Sequence, residues 1–194
     1  MTPTFSRALC TAALLLLMSA CGESTSRTVP SSATPSPSAA SVFTSSDFKT
    51  AIPEGWSDET NNESAVAAVS VSGTLLMLLI PPDAFPNRAN EHIDVSVVSQ
   101  PIPSDSLGAY LETVAQHGAT NLSPVKPFNL DRATGLFITY DLSANGTTNK
   151  AQDMVINHNN NTYDIVLNTA AADYAQQLPA LQEVLNAWKW SATP

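Results

Sequence analysis

Residues 134–169, TGLFITYDLSANGTTNKAQDMVINHNNNTYDIVLNT, decide the fold of this chain. Leu136, Ile138, Tyr140 and Leu142 alternate with Phe137, Thr139 and Asp141, the period-two pattern of a strand. Asn145-Gly146 follows, a dipeptide favoured in tight type I′ hairpins because both central positions need positive φ. A second strand is predicted over about 150–157, and the polar run from His158 to Asn161 turns the chain again. Residues 162–168 return as a third strand, with Tyr163, Ile165 and Leu167 on its core side. The stretch therefore predicts a three-stranded antiparallel meander.

Working outward, residues 92–98 form a further strand, with Ile93, Val95 and Val97 on one face and His92, Asp94 and Ser96 on the other. Residues 65–71 and 74–80 flank Ser72-Gly73 and predict another hairpin. The run Leu75 to Ile80 is apolar throughout, which suits a strand buried on both faces or a short helix. Leu107, Tyr110, Leu111 and Val114 have helical spacing over 105–117, with Ser104 or Asp105 to cap and Gly118 to close. A last helix is predicted over 173–188, with Leu178, Leu181, Leu185 and Trp188 on one face and a break or restart at Pro179. The fold class is α+β: an antiparallel β-sheet flanked by amphipathic helices, in one globular domain over 42–190 with a tail at 191–194.

The N-terminus carries a different signal. Arg7 supplies a positive charge, and residues 8–18 form an apolar run shorter than the ~20 residues of a membrane span. Ser19-Ala20-Cys21-Gly22 closes it in an order that resembles a bacterial lipobox. That resemblance implies cleavage between Ala20 and Cys21, an S-diacylglyceryl group on Cys21 and an N-acyl chain of the palmitate class. Residues 1–20 are then a signal peptide, and the protein is held extracytoplasmically on a cell membrane by its first mature residue. The rival readings are a transmembrane anchor, disfavoured by length, and a secreted protein with a free Cys21 thiol. Residues 22–41 are rich in Ser, Thr and Pro and read as a disordered tether. Cys10 and Cys21 are the sole cysteines, so the mature chain has no disulfide and no thiolate zinc site. The net charge is −9, and loss of Arg7 makes it −10, which argues against nucleic acid and against a polybasic grip on lipid.

Chemistry-bearing patterns are few. Ser46-Asp47-Phe48-Lys49 matches the Ser-x-x-Lys string of penicillin-recognising enzymes, but its companion motifs are missing. His92 and Asp94 share a predicted strand face and could reach a metal with His117 and His158, though nothing in the sequence gathers them. Asp131, Asp141, Asp153 and Asp164 lie on or beside successive strands. A carboxylate pair among them could do glycosidase work, but the plainer reading is the solvent face of a sheet. Trp56, Phe85 and Trp190 are candidates for an apolar ligand groove between sheet and helix, against a plainer role in packing. No cofactor or metal is expected.

Ile52-Pro53-Glu54-Gly55-Trp56 resembles the Pro-x-Gly-Trp opening of the LpqN/LpqT-type lipoproteins of mycobacteria and their relatives. Phe85-Pro86-Asn87 before the 92–98 strand resembles their Phe-x-Pro-Asn segment with one residue missing, and Val184-Leu185-Asn186-Ala187-Trp188 closes the last helix in the matching order. The resemblance spans about 48–190 and implies a Mog1p/PsbP-like fold. It implies an accessory role in the cell envelope, with mycolate-type glycolipids or membrane transporters as partners, and it supplies no catalytic residues. The expected function is a non-catalytic binding or adaptor module. The alternative is a small envelope hydrolase using Ser46 or strand carboxylates such as Asp141. A solute receptor is disfavoured because such receptors need two lobes, and this domain is too short.

Overall fold

The computed structural model describes residues 41–82, 84, 90–116, 118–144 and 146–191. The expected signal peptide, Ala20, Cys21, almost all of the tether, Phe85 and His117 lie outside them.

The chain begins with strands β1 (Ser41–Thr44), β2 (Phe48–Ile52) and β3 (Ser57–Asp58), then a short helix α1 (Glu63–Val66). Strands β4 (Gly73–Ile80) and β5 (His92–Val98) follow, and a 3-10 turn at Ser104–Ser106 leads into helix α2 (Leu107–Ala115). Then come β6 (Ala119–Thr120), β7 (Lys126–Leu130), β8 (Ala133–Ala144), β9 (Thr147–His158) and β10 (Asn161–Ala170). Helix α3 (Tyr174–Ala187) and strand β11 (Lys189–Trp190) close the chain.

The main sheet is antiparallel in the order β3-β4-β5-β10-β9-β8-β6, with β7 also paired to β8. The predicted meander is its centre. Leu142 pairs with Asn149 and Ala144 with Thr147 around a turn in which Gly146 has φ +80°. His158 pairs with Asn161 across Asn159 and Asn160, whose φ values of 48° and 62° are the left-handed geometry of a type I′ turn. A small sheet, β1-β2-β11, joins the two ends of the described chain.

One face of the main sheet builds the principal core. Met77, Leu79, Ile93, Val95, Met154, Ile156, Ile165 and Leu167 pack with Leu181 and Val184 of α3 and with Phe43 and Phe48 of the small sheet. Trp188 seals the corner, its ring stacked on Phe48 at 3.9 Å and 12°. The opposite face is covered as well. There α2 sets Leu107, Leu111 and Ala115 against Ile138, Tyr140, Ala151 and Val155, while Ala65 and Ala84 cover Leu78 and Ile80. No helix among the described residues is long and apolar enough to cross a membrane.

Two local expectations are corrected. Residues 65–71 are not a strand. The Asn62 side chain accepts the backbone N–H groups of Ser64 at 3.1 Å and Ala65 at 3.3 Å, which starts helix α1 instead. β4 pairs with β3 and β5, and its buried residues 77–80 serve both cores. Pro179 does not break the last helix, which runs unbroken over Tyr174–Ala187. Pro179 lacks the N–H that would bond the Ala175 carbonyl, but Leu181 and Val184 beyond it are fully buried and hold the helix to the sheet.

Candidate functional site

The second face of the main sheet holds the unexpected feature. His92, Asp94 and Ser96 of β5 alternate with the core residues Ile93 and Val95, a pattern that predicts a solvated face. They are instead buried, and so are Asp153 of β9 and Asp164 of β10, each 1% exposed. The solvent-face reading of the strand acids is therefore wrong for Asp153 and Asp164, because α2 and the residues around α1 cover that face.

Register explains the grouping. Asp94 is opposite Val166, Val166 is opposite Asp153, and Asp153 is opposite Ile138, so two acids lie in one row across four strands. Asp164 sits in the adjacent row, between Ser96 and Val155, which makes it a diagonal neighbour of Asp153. Helix α2 is fixed over this face from its N-terminal side. Thr162 donates to Asn157 at 2.6 Å and accepts the Ile102 N–H at 2.8 Å, while Asn157 donates to the Ile102 carbonyl at 2.8 Å.

Around the pair, the Tyr140 hydroxyl donates to Asp153 Oδ2 at 3.2 Å. The Tyr110 hydroxyl of α2 donates to Asp164 Oδ2 at 3.4 Å, and the Ser72 hydroxyl donates to the same oxygen. The two carboxyls are diagonal neighbours on adjacent strands and each feels the other's charge. Burial pushes Asp164 up to about 6, against the lowering effect of Ser72, and pushes Asp153 well above the ordinary carboxylate range with the nearby Asp164 charge adding to it. Asp94 is also raised by burial, opposed by His92. His92 Nε2 stands 3.2 Å from Asp94 Oδ1, close enough for an ion pair but not aligned as a hydrogen bond. Burial raises the Tyr110 hydroxyl to about 12, and it raises Tyr140 further.

A cavity of about 320 Å³ opens beside this pair. Asp153, Asp164, His92, Asn168, Ser72 and Tyr140 contribute polar lining, and Val69, Val114, Leu142 and Val166 contribute apolar walls. Asp153 Oδ1, Asp164 Oδ1, Asn168 Oδ1 and His92 Nδ1 are buried atoms to which no protein donor is directed. Unpartnered buried polar atoms are costly and therefore rare, so their grouping at one cavity is informative.

The other sequence candidates fall elsewhere. Ser46 is exposed in the β1–β2 turn, where its hydroxyl donates to Asp47 at 2.8 Å. Asp141 accepts from Lys150 at 3.1 Å and Asn121 at 2.7 Å, and the Asn121 contact, followed by Lys150, holds it below the usual carboxylate range. Asp131, in the β7–β8 turn at φ 40°, accepts the Trp190 N–H at 2.9 Å and the Lys189 ammonium at 3.1 Å, and is likewise lowered. His158 stacks on Trp190 at 4.1 Å and lies lower than ordinary through burial. It is not brought to His92 and Asp94, and no group of three metal-ligating side chains exists among the described residues. Trp56 closes a turn from Pro53 by donating its N–H at 3.0 Å, and its ring is half-buried against the principal core. Trp190 packs there too, and neither ring lines the cavity.

No family model and no curated protein matches the sequence. Solved structures do match. CyanoP, the cyanobacterial PsbP of Synechocystis, superposes with a TM-score of 0.50 at 13% identity, over 78% of this chain and 92% of that one. LpqN of Mycobacterium tuberculosis, a protein involved in cell envelope biogenesis, superposes with a TM-score of 0.53 at 10% identity, over 80% of this chain and 87% of that one. The fold is PsbP-like. Identities this low establish architecture and nothing of the site. On this PsbP-like frame, sequence reasoning missed Ser72, Tyr110 and Tyr140 as partners of the acids and Asn168 as part of the cavity lining. The available signal was Asp94, Asp153 and Asp164 at inward positions of strands that the meander places side by side.

Proposed function

We propose that this chain is a lipid-anchored binding module of a bacterial cell envelope, tethered through Cys21 and without catalytic activity of its own. The envelope assignment draws on the lipobox-like Ser19-Ala20-Cys21 string and on the likeness to LpqN. The binding role rests on one observation: the cavity on the second sheet face, where buried polar atoms without protein partners meet apolar walls. A solvent-filled defect would be lost readily, whereas a preformed cleft of this size suits a small ligand or the polar head of an envelope lipid. An envelope glycolipid or a membrane transport complex is the expected partner class.

Two measurements test this. In membrane fractions, the Cys21→Ala chain should move to the soluble pool with its fold intact. Retention on membranes after a high-salt wash would overturn the anchor. The full chain should bind envelope lipid extracts or crosslink to an envelope membrane protein, and failure in both would overturn the binding role.

A second reading has one specific observation behind it, two buried carboxyls on adjacent strands at a cavity, an arrangement that some hydrolases use to activate water. It requires hydrolytic turnover that disappears in Asp164→Asn. The Ser46 version has only the adjacent, partly exposed Asp47 carboxylate at its hydroxyl and would require labelling by a serine-reactive probe.

A further inference from the structure

We propose that the cavity beside Asp153 and Asp164 binds a small organic ammonium group. The inference rests on reading that cavity as the binding site, and it names the ligand's chemistry. Both carboxyls line the cavity, and among its described lining residues there is no lysine or arginine. Three buried oxygens, Asp153 Oδ1, Asp164 Oδ1 and Asn168 Oδ1, await donors. An ammonium group carries three donors and no acceptor. The non-acidic partner is independent of the carboxyls: His92, 5% exposed, lines the same cavity with Nδ1 unpartnered.

Charge then separates the candidate ligands. A neutral polyol could donate to the same oxygens, but it would leave an ionised carboxylate buried without a counter-charge. A metal ion lacks its ligand set, because no group of three such side chains gathers among the described residues. An organic cation supplies the charge, and its carbon body can lie along Val69, Val114, Leu142 and Val166. The titratable groups facing the pair are His92 and Asp94 from β5, Tyr140 from β8 and Tyr110 from α2. With the cation in place the ionised form of both carboxyls is favoured.

The test uses the full chain in detergent micelles at neutral pH, titrated calorimetrically with glucosamine and n-butylammonium and with their neutral counterparts, glucose and n-butanol. Both amines should bind saturably, and the neutral compounds at least about tenfold more weakly. Asp153→Asn and Asp164→Asn should each weaken amine binding by about tenfold or more. Should either variant fail to fold, backbone amide shifts in the unsubstituted chain serve instead, with changes expected at Ser72, Tyr140 and Asn168. Equal binding of the neutral compounds, no binding of either amine, or amide shifts confined to another face would each overturn the proposal. Envelope lipid extract shifting those amides while the amines do not would remove the ammonium and leave the binding module standing. Silence from both would remove the two together.

Discussion

Asp164 gives the buried carboxyl pair a measurable signature in stability. In the folded chain burial moves this carboxyl from 3.8 to about 6. Across that interval the native state holds a proton that the unfolded chain has released, so stability falls as pH rises, at 1.36 kcal/mol per pH unit for one proton. The full interval amounts to about 3 kcal/mol, of which about 2 kcal/mol is lost between about pH 4.5 and pH 7. Asp94 and Asp153 are raised as well and act with the same sign. Asp131 and Asp141 are lowered, so their stabilisation is lost as pH falls below the ordinary carboxylate range, outside this window, while His158, lowered by burial, opposes the trend inside it, which is why the substitution and not the parent chain alone decides. With a urea slope of about 2 kcal/mol per molar, the Asp164 contribution lowers the midpoint by about 1 M from pH 4.5 to pH 7. The assay is urea unfolding of the full chain and of Asp164→Asn at both pH values, followed by tryptophan fluorescence. The substitution should remove about 1 M from the pH-dependent shift, since its amide cannot ionise. Midpoints of the two chains that shift in parallel between these pH values would refute the reasoning.

Two further substitutions probe the frame that holds the site. Trp188→Ala removes a fully buried ring stacked on Phe48 and should cost about 3–5 kcal/mol, lowering Tm by about 10–15 °C in a calorimetric scan. An unchanged Tm would mean the small sheet does not depend on that stack. Pro179→Ala restores an N–H for the Ala175 carbonyl at an exposed helical position and should raise Tm by several degrees, a gain of about 1–3 kcal/mol. A fall would show that the proline fits the helix better than its missing hydrogen bond suggests.

The meander was legible because its signals are local. Alternation and the Asn145-Gly146 and Asn159-Asn160 turns specify strand, register and reversal within neighbouring residues. The β5 strand was legible for the same reason, but the burial of its polar face was not. Alternation reports two chemically different faces, and here the polar face lies under α2 and the α1 segment, which approach it from distant parts of the sequence. Residues 65–71 misled because their apolar content resembles a strand, while the single Asn62 cap upstream decides for helix. Pro179 misled in the other direction, since a proline's local penalty was outweighed by the burial of Leu181 and Val184. The partners of the acids were invisible because Ser72 and Tyr110 meet Asp164 only through tertiary packing.

The small sheet has a consequence for the order of events during synthesis. Phe48 emerges from the ribosome early, yet its stacking partner Trp188 and its strand neighbour Trp190 are among the last structured residues to be made. Until residues 188–190 are made, Phe48 cannot be enclosed and β2 keeps one edge open to other chains. The meander can form while the chain is still growing, but the small sheet must wait for Lys189 and Trp190. A chain cut before Trp188 would keep every strand of the central sheet and leave its first strands adhesive.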